Sequence, residues 1–572
     1  MRSAWLERTQ LAALLAILGI FLVWPIWLVV RGAFTSLDGH FTLAAFAGIA
    51  RDELLRRGLV NSLLIATGTT LGAVLIALPL GLLAARTAFP CKGLLSGLLL
   101  LPLILPPFVG AIGMRHILGR EGALNAILQG LGVVDQGVDI LGRGGMVAII
   151  LLQALSLYPI VFLNVTAALA NLDPALEEAA ASAGAGGWTR FRRVTLPLVR
   201  PGIFAGATIV FIWSFTELGT PLMFEFYAVT PVQVFNGLKE VESSRQPYAL
   251  VTVMLTLAVV LYVVGRMVLG RSAPASQVKA SVRRVETPLV GLRAAGAIAA
   301  FAGVAFLASL PHLGVILASV TVPGQWYGTI LPRAFTVEHF GQALTHPLAA
   351  GSIRNSLILS TLAAAAATVV GLMVARLVVR GRVWGRGLLD ALSMLPLAVP
   401  GLVMAFGFVA LSLAWPFSGP LKSLANITGA DPNPFPLLVV AYAVRRLPYV
   451  VRSAAAGLEQ TSVSLEEAAA SVGAGRFTTL RRVVVPLIAA NLAAGAILAF
   501  SFAMLEVSDS LILAQRDRDF PITKAIWSLY DRLGDGAGIA SAMGVWAMAL
   551  LATALLGASA LIGRRMGALF RA

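Results

Sequence analysis

The chain has few charged residues for its size and a single cysteine. Of its 572 residues, 12% are charged and 58% are hydrophobic, whereas soluble domains usually carry about 25% charged residues. Cys91 stands alone, which excludes an intramolecular disulfide. No Gly-Lys dipeptide occurs, which excludes a phosphate-binding loop of the GxxxxGK[ST] type. We therefore predict no catalytic residues, no metal site and no bound cofactor in this chain.

Apolar windows long enough to cross a bilayer recur along the sequence, and the mean hydropathy is +0.87. A helix needs about 20 residues to span the hydrocarbon core, and it satisfies its own backbone groups there. We predict an all-α polytopic membrane protein with about twelve transmembrane helices. The predicted spans are approximately 11–31, 59–85, 94–118, 146–170, 198–222, 249–269, 291–320, 353–379, 387–415, 435–457, 487–513 and 539–563.

A polar motif occurs twice between apolar segments. The first copy covers 177–197, and the second covers 466–486, which is 289 positions later. Other matches between the two parts of the chain, such as Asn61 with Asn355, are 294 positions apart. The repeat predicts two halves of six spans each, and an even number of spans gives both halves the same orientation.

The predicted halves are residues 1–270 and 291–572, joined by a polar, basic linker at 271–290. The formal net charge is +16. Arginines concentrate in the loops that carry the motif copies and in the linker, so the positive-inside rule places these loops in the cytoplasm. We predict a multi-pass membrane protein with both termini cytoplasmic and with lipid around it. The charge is accounted for by membrane orientation, so nucleic acid is not a predicted partner.

Each motif copy predicts a short surface helix followed by a glycine bend. Asp173 and Pro174 suit the start of the first helix, and Ser464 is the predicted cap of the second. Gly184 and Gly473 are the predicted breaks. The predicted helical segments cover about 173–187 and 462–476.

The motif resembles the EAA loop of ABC-importer permeases, in which Glu-Ala-Ala is followed by glycine and then by Leu-Pro. The second copy departs from this pattern, because Val485 replaces the leucine. The resemblance extends over nearly the whole chain as two fused halves of the type I importer fold. It is nearest to ferric-iron permeases, with thiamine and 2-aminoethylphosphonate permeases close. It implies coupling residues at Glu177, Glu178, Ala179, Ala180, Gly184, Glu466, Glu467, Ala468, Ala469 and Gly473.

The resemblance also implies a place in the bacterial inner (cytoplasmic) membrane, and it implies partners. A separate ATP-binding subunit, expected as a homodimer that carries ATP and Mg, would seat the two coupling helices. A periplasmic substrate-binding protein would deliver the cargo. A secondary transporter with two six-span halves is the alternative class, and an assembly protein without a transport cycle is a third.

Charged residues within predicted spans are candidates for a translocation pathway, because such charges usually face a bundle interior or water. The alternative is an internal ion pair that only holds spans together. Acids would suit a cation such as Fe³⁺, whereas arginines would suit an anion, and the sequence leaves the sign open. The candidates are Glu217, Glu506, Asp509, Arg445 and Arg446. Helix breaks in the third span of each half are predicted from Pro102, Pro106, Pro107, Pro396 and Pro400.

Overall fold

The structure is a computed structural model that describes residues 2–104, 106–142, 145–269, 286–427, 432–532 and 535–562. The helices of the first half are α1 (Arg2–Leu18), α2 (Trp24–Ala33), α3 (Ala44–Arg51), α4 (Glu53–Arg86), α5 (Lys92–Leu98), α6 (Pro107–Leu118), α7 (Ala123–Gly130), α8 (Gly145–Ala170), α9 (Pro174–Ser182), α10 (Gly187–Arg190), α11 (Leu196–Phe215), α12 (Gly219–Met223), α13 (Thr230–Asn236) and α14 (Gln246–Leu269). Those of the second half are α15 (Gly291–Ser319), α16 (Glu338–Thr345), α17 (Pro347–Arg380), α18 (Arg386–Ala398), α19 (Gly401–Leu413), α20 (Phe435–Gln460), α21 (Val463–Ser471), α22 (Arg476–Thr479), α23 (Val485–Leu487), α24 (Ala489–Met504), α25 (Ser508–Leu513), α26 (Ile522–Tyr530) and α27 (Gly536–Ile562).

The long helices confirm an all-α polytopic membrane fold. Within the described residues, eight helices are long and apolar enough to cross a membrane, or eleven if each of three bent pairs is one span. α20 occupies the place of the predicted tenth span but is absent from that set. Every 18-residue window in it contains Arg445, Arg446 and Arg452, more charge than a simple span carries.

The internal repeat is visible in helix lengths. α4 and α17 each have 34 residues, α8 and α20 each have 26, and α9 and α21 each have 9. The sequence match therefore corresponds to two copies of one helical arrangement.

Proline breaks the third span of each half, as predicted. α18 and α19 meet at an angle of 108°, and the corresponding pair in the first half is bent by 97°. In the second half the break consists of Val399 and Pro400, since proline lacks a backbone N–H and crowds the preceding turn. Pro396 lies inside α18 without ending it.

Two predicted spans are shorter than the sequence suggests. α11 ends at Phe215 rather than near 222, and α24 ends at Met504 rather than near 513. Glu217 and Glu506 therefore lie in breaks between helices, not inside them. The break after α11 is stabilised by Glu217 itself, whose carboxylate accepts a 2.7 Å hydrogen bond from the backbone N–H of Thr220 in α12.

The first span of each half packs against the other half. In α1, Leu11, Leu14 and Leu18 share a buried cluster with residues of α17, α18 and α20. In α15, Phe301 packs edge-on against Phe89 of the first half, with 5.1 Å between ring centroids. Because α1 packs on the second half and α15 packs on the first, apolar contacts join the two halves.

The segment that enters the second half is docked on the first. Strand β1 (Thr87–Ala88) pairs in parallel with β2 (Thr287–Pro288), and Lys92 Nζ lies 2.8 Å from Glu286 Oε2. Most of the predicted linker, residues 271–285, lies outside the described residues. The division into 1–270 and 291–572 stays a prediction.

Candidate functional site

Both motif copies form the predicted short helix and glycine bend. Asp173 Oδ1 accepts a 2.9 Å hydrogen bond from the Ala175 N–H and caps α9. Gly184 and Gly473 have φ values of +82° and +83°, the left-handed region that glycine enters without steric cost. The face of the protein that carries these two copies is called the motif face below, and it is the predicted cytoplasmic face.

The predicted cap of the second copy is wrong by two residues. Ser462, not Ser464, caps α21, and its Oγ accepts the N–H of Ser464 at 3.3 Å. Ser462 lies 289 positions after Asp173, the cap of the first copy. The repeat offset therefore identifies Ser462, not Ser464, as the equivalent cap. Ser464 already lies in the first turn, where its backbone N–H needs a partner.

The two acids at the start of each helix point in different directions. Glu177 is buried, with 2% of its surface exposed, whereas Glu178 is exposed. In the second copy Glu466 is half-buried and Glu467 is exposed. Adjacent residues on a helix are about 100° apart, so one acid of each pair can face the protein while its neighbour faces outward. Of the predicted coupling acids, Glu178 and Glu467 are exposed on the motif face, while Glu177 and Glu466 turn inward.

The outward surface is closely similar in both copies. Ala179, Ala468 and both bend glycines are exposed, while Ala180 and Ala469 are half-buried. Trp188 and Phe477, which are equivalent in the repeat, are 72% and 74% exposed. The repeat therefore places an exposed aromatic side chain at the same position of both copies.

A cavity of about 240 Å³ lies between the two halves at the level of the helix breaks. Both halves contribute prolines and polar side chains to it. Of the five predicted pathway residues, four line this cavity, and Asp509 lies behind them with 1% of its side chain exposed. The lining includes Pro102, Pro106, Ser156, Glu217, Pro396, Pro400, Arg445, Arg446, Tyr449, Phe502 and Glu506.

Four of the charged residues form one ion-pair cluster. Glu506 is 4% exposed and pairs with Arg446 and with Arg445, whose Nε is 3.3 Å from Glu506 Oε2. Arg445 Nη1 is 3.3 Å from Asp509 Oδ2. Arg446 also donates a 3.0 Å hydrogen bond to the carbonyl oxygen of Phe502. The ion pairing that the sequence proposed as an alternative is therefore present.

The cluster belongs to one half only. Arg445 and Arg446 correspond to Ser156 and Leu157 in the first half, 289 positions earlier. Glu217, the counterpart of Glu506, lines the same cavity and forms no ion pair with any described residue. The cavity thus combines a neutralised cluster on one side with a single carboxylate on the other.

Sequence reasoning missed a contact between the halves on the side away from the motif face. Phe235 and Trp527, at equivalent places in α13 and α26, meet edge-on with 5.9 Å between ring centroids. Lys524 lies over both rings at 5.1 and 5.0 Å and donates to the Leu511 carbonyl oxygen. Burial lowers the pKa of Lys524 to about 8. An isolated lysine in a loop between spans gives no signal of such a contact.

Comparison with known proteins agrees with this arrangement. The family model described as binding-protein-dependent transport system inner membrane component matches residues 77–273 and again 367–567. A putative ferric transport system permease protein of Haemophilus influenzae is 27% identical over 89% of this chain and 78% of its own. The ferric transport system permease protein of Actinobacillus pleuropneumoniae is 27% identical over 81% of this chain and 64% of its own. The molybdenum transport system permease protein of Escherichia coli is 35% identical over 27% of this chain and 66% of its own.

Proposed function

This chain belongs to the family of binding-protein-dependent transport system inner membrane components, and we propose that it moves a small solute into the cytoplasm by alternating access, driven by a separate ATPase. It is a multi-pass inner-membrane transport subunit. The observation that carries the proposal is the pair of equivalent, exposed motif helices on one face, with one shared cavity between the halves.

ATP and Mg belong to the partner in this proposal, since the chain has no Gly-Lys dipeptide with which to build a phosphate-binding loop. The partner is a homodimer. Each motif copy presents the same exposed leucine, glutamate, alanine and paired arginines, so two identical grooves can accept them. From Ala175 to Arg193 and from Ser464 to Arg482, the exposed positions that differ between the copies are Ala175 and Ser464, Ala183 and Val472, Gly187 and Arg476, and Trp188 and Phe477.

Ferric iron is the proposed cargo. The names of two relatives that match most of this chain support it. So does Glu217, a carboxylate in the cavity with no cationic partner among the described residues. Hard cations prefer carboxylate oxygens as ligands. Periplasmic delivery by a binding protein follows from the family description.

A molybdenum oxyanion is the second candidate. The molybdenum permeases match a shorter part of this chain at higher identity. Arg445 and Arg446 line the cavity, and guanidinium groups suit oxyanions. Both arginines are paired with acids in this conformation, and for this reason iron is preferred.

The test is uptake into proteoliposomes that contain this chain, the co-expressed ATPase and its binding protein. We expect ATP-dependent accumulation of ferric iron, with no accumulation when the ATPase is omitted. Molybdate, thiamine and 2-aminoethylphosphonate complete the panel. Uptake in the absence of the ATPase would instead indicate a secondary transporter, and an absence of ATP-dependent uptake for every solute would count against an importer.

Glu217→Gln is expected to lower ferric-iron uptake about tenfold, an effect on the scale of one lost charged contact. Its folding should be nearly unchanged, because no ion pair is broken and the glutamine oxygen can still accept the hydrogen bond from the Thr220 N–H. Uptake and thermal unfolding are measured on the same preparation. Glu338→Gln, at an exposed position in α16, is the matched control. Normal iron uptake by Glu217→Gln would remove this carboxylate from the pathway.

A further inference from the structure

The inward acid of the first motif copy ties together three separate elements. The carboxylate of Glu177 accepts hydrogen bonds from Arg86, the last residue of α4, and from the hydroxyl of Thr195 in the turn that precedes α11. Arg86 also donates to Thr195 Oγ1 at 2.7 Å. The three side chains form a closed triangle behind the motif helix.

The second copy repeats the arrangement with different partners. Arg380, the last residue of α17, donates from Nε to Glu466 at 3.0 Å, and Arg376 lies 3.9 Å from the same carboxylate. Arg380 also donates to the carbonyl oxygens of Leu458 and Thr461, both at 2.7 Å. Arg86 and Arg380 are 294 positions apart, which is the offset of this part of the repeat.

These contacts are the main polar attachment of the motif helices to the long helices. α9 and α21 have 9 residues each, too short to hold their own shape in water. Removal of one member of a charge pair that is largely shielded from water is costly, so each motif helix and the end of α4 or α17 are expected to move together. α4 packs on α8 and α11, and α17 packs on α20 and α24. α20 carries the arginines of the cavity.

We propose that Glu177 with Arg86 and Thr195, and Glu466 with Arg380, are positioning groups that pass movement of the motif helices into α4 and α17. They are called the motif latches below. This inference rests on the proposed function, because the movement is supplied by the ATPase seated on the motif face. Each motif helix then has two separate acidic functions: Glu178 and Glu467 contact the partner, and Glu177 and Glu466 transmit its motion.

The test uses the assembled complex in proteoliposomes and measures ions transported per ATP hydrolysed. Ferric iron is the probe, or molybdate if that is the ion carried by the unmodified complex. Glu177→Gln with Glu466→Gln keeps side-chain volume and removes both charges. We expect the ATPase still to co-purify and to hydrolyse ATP, while the ratio of ions to ATP falls about fivefold, the lower end of typical coupling between sites.

Two further variants separate transmission from folding and docking. Thr195→Val inserts the residue that the second half has at the same place, Val484, so the fold should accept it. The ratio is expected to fall about twofold, because two hydrogen bonds of Thr195 are lost while the direct pair of Arg86 with Glu177 remains. Glu178→Gln with Glu467→Gln should reduce ATPase association, a loss that Glu177→Gln with Glu466→Gln should not show.

The outcomes distinguish this inference from the function on which it rests. If the unmodified chain does not bind an ATPase or shows no ATP-dependent uptake, the proposed function fails. The motif latches are tested only if the unmodified complex couples transport to ATP hydrolysis. They are overturned if Thr195→Val keeps the full ratio and the Glu177→Gln, Glu466→Gln variant also keeps it. They are equally overturned if Thr195→Val keeps the full ratio and the double variant does not fold. A lowered ratio in either variant, with the ATPase bound, supports them.

Discussion

Glu506→Gln is expected to lose about 3 kcal/mol of stability, because it leaves the two arginines beside it buried with a single remaining carboxylate. Removal of one partner from a buried ion pair costs far more than the pair contributes. Thermal unfolding of the purified chain in detergent, followed by tryptophan fluorescence, measures the effect. Transport is expected to be lost as well, since Glu506 and Arg446 line the cavity between the halves.

Two controls locate the cause of that loss. Arg446→Met combined with Glu506→Gln removes an unpaired charge as well as its partner, so part of the stability should return while transport stays low. Glu53→Gln breaks an exposed pair with Arg57 on α4 and should cost less than about 0.5 kcal/mol. Unfolding of Glu506→Gln at the wild-type temperature would contradict a formed cluster.

Glu178→Lys combined with Glu467→Lys is expected to weaken ATPase association about thirtyfold while the chain inserts and folds normally. Both side chains are exposed and make no ion pair within the described residues, so the fold loses no contact. Reversed charge on both docking helices places lysine against the groups that receive glutamate, and like-charge juxtaposition at an interface costs several kcal/mol. Co-purification with a tagged ATPase, calibrated by titration, measures the change.

Single variants make this experiment more informative. If the partner is a homodimer with two identical grooves, Glu178→Lys and Glu467→Lys should each weaken association by a similar factor. Glu338→Lys reverses an exposed charge in α16, away from the motif face, and should leave association unchanged. Full ATPase association in the double variant would contradict the docking role of these acids.

The positions of the elements follow largely from local sequence. Long apolar windows predict the spans because the bilayer core contains no water, and a helix there forms all its backbone hydrogen bonds within itself. The prolines near position 400 predict a break in the helix, because proline has no backbone N–H to donate to the preceding turn. In the structure α18 and α19 meet there at 108°. The constant offset of 289 predicts two equivalent motif helices, and the structure contains both.

Local sequence predicted the ends of some elements incorrectly. Hydropathy extended the predicted spans through Glu217 and Glu506, because one acid hardly changes an apolar average over about 20 residues. In the structure the Glu217 side chain accepts a backbone N–H and the helix ends before it. The cap at Ser462 was missed because more than one serine near the start of α21 fits the preference for serine at a helix N-cap.

The sequence by itself determined the membrane class, the repeat and the acids of the motif, because hydropathy, spacing and residue type are local properties. Only the tertiary structure decided which acid of each pair is exposed on the motif face and which is held by Arg86 or Arg380. It also decided the exchange of α1 and α15 between halves and the contact of Phe235 with Trp527. These features depend on residues that packing brings together from distant parts of the chain, and neither the apolar pattern nor the repeat offset specifies such partners.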